Sequence, residues 1–413
     1  MDRHYSIEQV IHIIKIVFST LLWIIAFLGL AQSVKGRLSD SETGLPIAYA
    51  HIQSGNGKLG TVNNELGLFE LHTNSSLGDS LLITHTSYSP VRLWVNSDSI
   101  HDIKMNPDII ILDEVIVMDI LGDVIEQVTQ ELKNSPIEYS RAFYRQITYQ
   151  DSMPKEWIEA FYSISSTKNG IDKIKIDQAR FARKKYDTSG VFVSHTNFSY
   201  IILCHKIYES KTEDQILRVG KPFHENFLDN YTFTVSKTFE KSEDSFVIIS
   251  FKVKDKTVHP INGYGHFTYN LTKKRLIHYL IQVDHSLGMD ELPSYSAGKN
   301  LSVESPLIKL EFNYHEETGL LKYIRSGYTY NLIQDEEVIP SHVQSTMIFY
   351  EESDRVFKKL REPDIKLEDV SNFENAKYKP KFWRDNPVIT LTPEEKATIA
   401  TFEKENAFGT YFK

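Results

Sequence analysis

Cysteine is almost absent: Cys204 is the single one in 413 residues. No intramolecular disulfide can form, and zinc or iron–sulfur sites built on cysteine are excluded. Cys204 follows the apolar run Tyr200-Ile201-Ile202-Leu203 and reads as a small buried core residue. Histidine is not scarce, at 15, but the spacings that metal chemistry needs are missing. None of the histidines begins an H-x-x-E or forms H-E-x-x-H, so a zinc-peptidase ligand set is not present. His315-Glu316-Glu317 looks acidic and histidine-bearing, yet it falls in an expected hairpin turn and reads as a solvated turn. A serine-hydrolase elbow, G-x-S-x-G, does not occur. Phosphate-cradling and dinucleotide fingerprints are lacking too, since Gly263-Tyr264-Gly265 opens a strand with no helix after it. The net charge is -9, and no Lys/Arg cluster is interleaved with aromatics, which argues against nucleic acid. The chain thus offers no catalytic residue, cofactor site or metal site. It also has no internal repeat and no low-complexity tract.

What the sequence has in quantity is aromatic: 22 Tyr and 23 Phe. Aromatics favour strands. Hydrophobic residues at 41% and charged residues at 24% are the proportions of an ordinary globular chain. One apolar run is long. Residues 16–30, IVFSTLLWIIAFLGL, carry no charge, follow Arg3 and Lys15, and end in Gly29-Leu30-Ala31. That is the layout of a signal peptide cut after Ala31, giving a mature chain from Gln32. The alternative is an uncleaved segment that holds the chain in the inner membrane. No cysteine follows, so lipoprotein processing is excluded. The mature part is not expected to span a membrane.

Beyond residue 31 the pattern predicts a mainly β chain. Residues 34–118 show short strand-like runs split by turn residues, the pattern of a small β-sandwich. A helical linker is expected over 119–136. Leu121, Val124, Ile125, Val128 and Leu132 share one face of it, and Pro136 stops it. Residues 137–352 read as a long antiparallel meander, a curled sheet or half-barrel with short helices. Within it, Ile308, Leu310, Phe312 and Tyr314 alternate with Lys309, Glu311 and Asn313, so one face should be buried and one wet. Residues 353–413 read as a polar tail. Thr392-Pro393-Glu394-Glu395 there signals a helix N-terminus with a capping box.

The sandwich segment resembles a known family. Its text runs Val34-Lys35-Gly36-Arg37-Leu38-Ser39-Asp40, then Gly44-Leu45-Pro46-Ile47-Ala48. After that come Gly60-Thr61-Val62-Asn63, Gly67-Leu68-Phe69 and the closing Leu112-Asp113-Glu114-Val115-Ile116-Val117. In order and spacing this resembles the carboxypeptidase regulatory-like domain of Bacteroidetes envelope proteins. The resemblance implies a transthyretin-like sandwich of about seven strands, non-catalytic, with the closing run as its last strand. Members often precede the plug of TonB-dependent receptors. No plug or barrel follows here, so receptor function does not carry over. Arg141-Ala142-Phe143-Tyr144-Arg145-Gln146 and Trp157-Ile158-Glu159-Ala160 look like a pattern downstream of this domain in uncharacterised Bacteroidetes proteins.

Tyr144, Arg145 and Glu159 form the main polar set, as a structural or ligand-contact group. A turn centred near Ser152 sets Arg145 opposite Glu159 as a cross-strand ion pair, partly buried by Phe143, Ile147, Trp157 and Phe161. The expected function is a non-enzymatic, exported binding or structural module, at the periplasm or outer-membrane face. Its partner would be an envelope protein, a glycan or a lipid. One alternative is a carrier of lipid or another hydrophobic ligand in a half-barrel with an unfilled apolar hollow. Another is a secreted hydrolase with an unrecognised carboxylate pair.

Overall fold

The computed structural model describes residues 32–55, 59–73, 80–85, 87–94, 100–108, 110–111, 120–183, 194–209, 223–224, 231–241, 243–254, 262–284, 301–334, 337–363, 379–386 and 388–409. The segment read as an export signal, 1–31, and the closing motif at 112–117 lie outside them.

Seven short strands come first: β1 (Gln32–Asp40), β2 (His51–Ser54), β3 (Gly60–Val62), β4 (Leu68–Thr73), β5 (Ser80–His85), β6 (Tyr88–Trp94) and β7 (Ile100–Met105). They form two sheets, in the orders β4-β1-β7 and β3-β2-β5-β6. Alternate residues of both, including Leu38, Ile52, Phe69, Leu81, Ile83 and Met105, share one apolar core. Gly67 turns the chain from β3 into β4 at φ +79, a left-handed shape, and a Cβ there would strike the Leu38 carbonyl oxygen.

The larger part is one open antiparallel sheet. Its strands are β8 (Ile110–Ile111), β9 (Glu138–Gln150), β10 (Met153–Thr167), β11 (Gly170–Arg183), β14 (Tyr231–Lys241), β15 (Asp244–Val253), β16 (Asn262–Asn270), β17 (Arg275–Asp284), β18 (Leu301–Tyr314), β19 (Leu321–Gln334) and β20 (Glu337–Glu352). The order is β11-β10-β9-β20-β19-β18-β17-β16-β15-β14-β8. The first long strand, β9, therefore pairs with the last, β20. The small parallel pair β12 (Tyr208–Glu209) and β13 (Phe223–His224) stands apart. Ile110 and Ile111, expected in the sandwich, pair instead with β14 of the large sheet. A sheet edge exposes unpaired backbone groups, and this aliphatic pair partners them.

The sheet curls around two helices. Helix α1 (Leu121–Asn134) buries Val124, Ile125, Val128 and Leu132, the face read from the spacing, and Ser135 beyond it is already extended. Helix α2 (Tyr200–Leu203) touches both β11 and β19, which stand four places apart in the sheet. Over this stretch the concave face is filled by the chain's own Tyr144, Ile158, Tyr162, Phe223, Tyr279 and Phe312. Cys204, beside α2, is half-buried against the same core.

The convex face is not the wet face that the period of two predicts. Glu311 and Asn313 are buried, while Lys309 alone of that set is exposed. The sandwich packs there, with Tyr49 lying 3.9 Å from the Arg325 guanidinium. The turn after β18 is only partly solvated: Glu317 is exposed, while His315 and Glu316 are engaged. His315 meets His51 edge-on at 4.4 Å, and Glu316 accepts from Lys241 Nζ at 2.8 Å. Lys241 also donates to the His85 carbonyl of the sandwich. Burial takes the His315 pKa down to about 3, helped by Lys322. Nor is the C-terminal segment a free polar tail. Helices α3 (Pro380–Asp385) and α4 (Pro393–Lys404) lie on the convex face and bury Trp383, Ile389, Phe402 and Phe408 against β9 to β11.

Candidate functional site

The β9–β10 hairpin turns at Asp151 and Ser152, with φ +50 and +57. Two left-handed residues make the tight turn whose twist suits antiparallel strands. Gln150 then pairs with Met153, and the register sets Arg145 opposite Glu159. On the other side, β11 sets Arg180 opposite Glu159. One carboxylate thus stands between two guanidiniums on one face. Arg145 Nε donates to Glu159 Oε1 at 2.6 Å, and Arg180 Nε donates to Oε2 at 2.6 Å. Glu159 is 1% exposed, so the pair is fully rather than partly buried. Burial by itself would raise the Glu159 pKa, but Arg180 and Arg145 outweigh it and hold the carboxyl below its usual range. Both arginines lie over rings, Arg145 over Trp157 and Arg180 over Trp383.

Tyr144 does not belong to this set. Neighbours along a strand point to opposite faces. Its ring packs in the concave core, and its hydroxyl donates to Gln146 Oε1 at 2.6 Å.

Arg145 reaches further than Glu159. Its Nη2 donates to the Ile389 carbonyl at 3.1 Å, just before α4. Nη1 has no hydrogen-bond partner among the described residues, and Glu395 Oε1 is 3.6 Å away. That carboxylate is placed by the α4 capping box. Glu395 Oε2 accepts from Thr392 N at 2.8 Å, and Thr392 Oγ1 accepts from Glu395 N at 3.1 Å. The sandwich supplies the opposite wall. Asn64 Oδ1 accepts from Leu66 N and Leu68 N at 3.0 Å, holding the turn that carries Glu65. Asn64 Nδ2 donates to the Thr390 carbonyl at 3.1 Å and ties this turn to the segment before α4.

Between these walls lies a partly open cleft. Tyr49 and Glu65 line it from the sandwich, Arg145 and Tyr149 from β9, and Glu394 and Glu395 from α4. Its volume is about 70 Å³, room for a few waters. A small polar group fits; an acyl chain does not. Arg145 and Arg180 are matched by Glu159 and Glu395, whereas Glu65 and Glu394 have no cationic partner among the described residues. Burial raises the Glu65 pKa, and Glu395 and Glu394 raise it further. Tyr149, stacked on His342 at 4.5 Å, is pushed up by burial and then by the same glutamates.

Arg180, Glu65, Glu394 and Glu395 are not marked by the sequence reading. The Thr392–Glu395 capping box was the one legible signal near them, and it spoke of a helix start rather than a cleft wall. Among the described residues no cluster of His, Cys, Asp and Glu could hold a metal ion, and no helix is long and apolar enough to cross a membrane.

No protein-family model matches the chain, and no curated protein does. Among solved structures, a candidate carbohydrate-binding protein from Bacteroides uniformis is similar over 37% of this chain and 98% of its own, at 7% identity and a TM-score of 0.17. A LolA superfamily protein from Nitrosomonas europaea is similar over 58% of this chain and 97% of its own, at 10% identity and a TM-score of 0.18. At such TM-scores neither likeness carries weight for this chain.

Proposed function

We propose that the chain is an exported, non-enzymatic binding module of the bacterial envelope, and that the cleft at Arg145 takes a small polar ligand. The uncharged run at 16–30 supports export, and the text of residues 34–69 supports an envelope protein of the regulatory-like type. One observation carries the binding reading. Three separate parts of the chain meet around a space of about 70 Å³ whose walls are charged and whose charges are not all used internally. Glu65 and Glu394 at its rim are exposed, so a ligand from solvent can reach them. The test is a ligand panel of monosaccharides, amino sugars and glycan fragments, followed by tyrosine-ring NMR on the full chain. Shifts at Tyr49 and Tyr149 are expected for small polar ligands. A panel that leaves both rings unmoved at millimolar concentration overturns the reading. Lipid co-purifying in native mass spectrometry would move attention to the concave face instead.

A further inference from the structure

We propose that the docking of the sandwich on the large sheet is an acid-sensitive latch, released when His51 and His315 take up protons. On β2, Ile52 points into the sandwich core, so His51 beside it points outward. Its cross-strand partners Val62 and Thr84 share that outward face. All three meet the large sheet. Val62 packs with Phe143, Tyr323 and Ile348, and Thr84 Oγ1 accepts from Lys322 Nζ at 3.2 Å. His51 is 2% exposed, and the His315 ring stands edge-on to it at 4.4 Å. The burial of His51 is thus a product of docking, not of the sandwich's own fold. His315 is half-buried, so a proton from solvent has a way in.

The charges around this contact set its response to acid. Lys241 on β14 and Lys322 on β19 are buried at the junction. Glu316 faces both, and accepts from Lys241 Nζ at 2.8 Å. His51 faces His315 and Lys322, and His315 faces Lys322. His85, at the end of β5, faces Lys322, Lys241 and Arg325, with Glu311 as the opposing charge. Glu311 is already bound to Arg325 at 2.5 Å. A proton on any of these three rings therefore adds positive charge beside positive charge. Burial first, and then these neighbours, takes the His85 pKa down to about 4 and His315 to about 3, and lowers His51 in the same way. Undocking returns the rings to water and to a value near 6.5. The docked form thus binds fewer protons. Docking is at full strength above about pH 6.5 and weakens as pH falls towards the docked values. Lys322, taken down to about 8 by burial, stays charged throughout that range and opposes each incoming proton. Glu65 works the other way, since acid relieves its repulsion with Glu395 and Glu394, but it is exposed and weighs less.

Small-angle X-ray scattering with circular dichroism on the full chain, titrated from about pH 7.5 to about pH 4, tests the latch. The radius of gyration should rise in one step below about pH 6.5 while the β signal is unchanged. His51→Phe and His315→Phe keep a ring that cannot take up a proton, and each should move the step down by about half a pH unit or more. Glu316→Gln removes the carboxylate facing both lysines and should move the step up. Thermal melting at about pH 7.5 checks that each variant folds. If a phenylalanine variant does not fold, Glu316→Gln decides, and a step it leaves in place overturns the latch. So does a constant radius, a step that the phenylalanine variants do not move, or an expansion that coincides with loss of the β signal.

Discussion

Glu159 and Glu65 lie near the same arginine, and burial raises the pKa of each. Their outcomes differ because their neighbours differ. Glu159 sits between Arg145 and Arg180, which drive its pKa below the usual range. Glu65 faces Glu395 and Glu394, which push it the other way. Glu159 is buried and Glu65 is exposed, so the two differ in depth as well as in the sign of the nearest charge. Glu159 locks three strands together. Glu65 adds repulsion, which protonation of its carboxyl relieves.

Removing the locked carboxylate should have the largest effect. Glu159→Ala leaves Arg145 and Arg180 buried without a counter-charge, and roughly 3–5 kcal/mol of stability should be lost. Urea denaturation measures it. A loss under about 1 kcal/mol would place Glu159 with ordinary surface pairs and dissolve the contrast.

A smaller effect should come from Thr392→Ala. It removes the hydroxyl that accepts from Glu395 N, at a cost of about 1 kcal/mol. The bond from Thr392 N to Glu395 Oε2 is donated by the backbone and survives in the alanine variant. Urea denaturation reads the loss, and a variant as stable as the parent would show that the cap contributes nothing.

The smallest change, and the one that sharpens the comparison most, is in pH dependence. Glu159 has a depressed folded pKa. Its stabilisation is present above the unfolded value near 4.5 and is lost as pH falls through the folded value. Glu65 has a raised one. Its folded state is favoured at low pH, and that advantage is lost as pH rises through its folded value. Glu65→Gln should therefore be more stable than the parent at pH 7, by a few tenths of a kcal/mol once solvent screening is allowed for. The difference should close below about pH 4.5. Melting curves at several pH values read both slopes, and a Glu65→Gln variant less stable than the parent at pH 7 refutes the assigned repulsion.

Much of the local structure is legible in the sequence. The apolar stripe of α1, the stop at Pro136, the left-handed turn at Gly67 and the capping box at Thr392 each depend on residues close together in the chain. The hairpin register is legible for the same reason, since one two-residue turn fixes it. Grouping Tyr144 with Arg145 fails on elementary geometry, because consecutive strand residues point to opposite faces. The cleft is illegible because it joins Tyr49, Arg145 and Glu395, and no local pattern links positions that far apart. The buried state of Glu311 is hidden for a related reason. A strand's alternation names two faces but does not say that the sandwich will cover the second.

The pairing of β9 with β20 also has a consequence in time. Gln150 finds its partner only at Ser341. At synthesis rates of about 5–20 residues per second, roughly 10–40 seconds separate the two. Until β20 is present, the β9 side of the β9–β10–β11 hairpins has no strand to pair with, and a bare edge is the kind that pairs with other chains. Late, long-range closure of this sort is slow in itself. A chain truncated before Ser341 would lack β20 and leave the β9 edge unpaired.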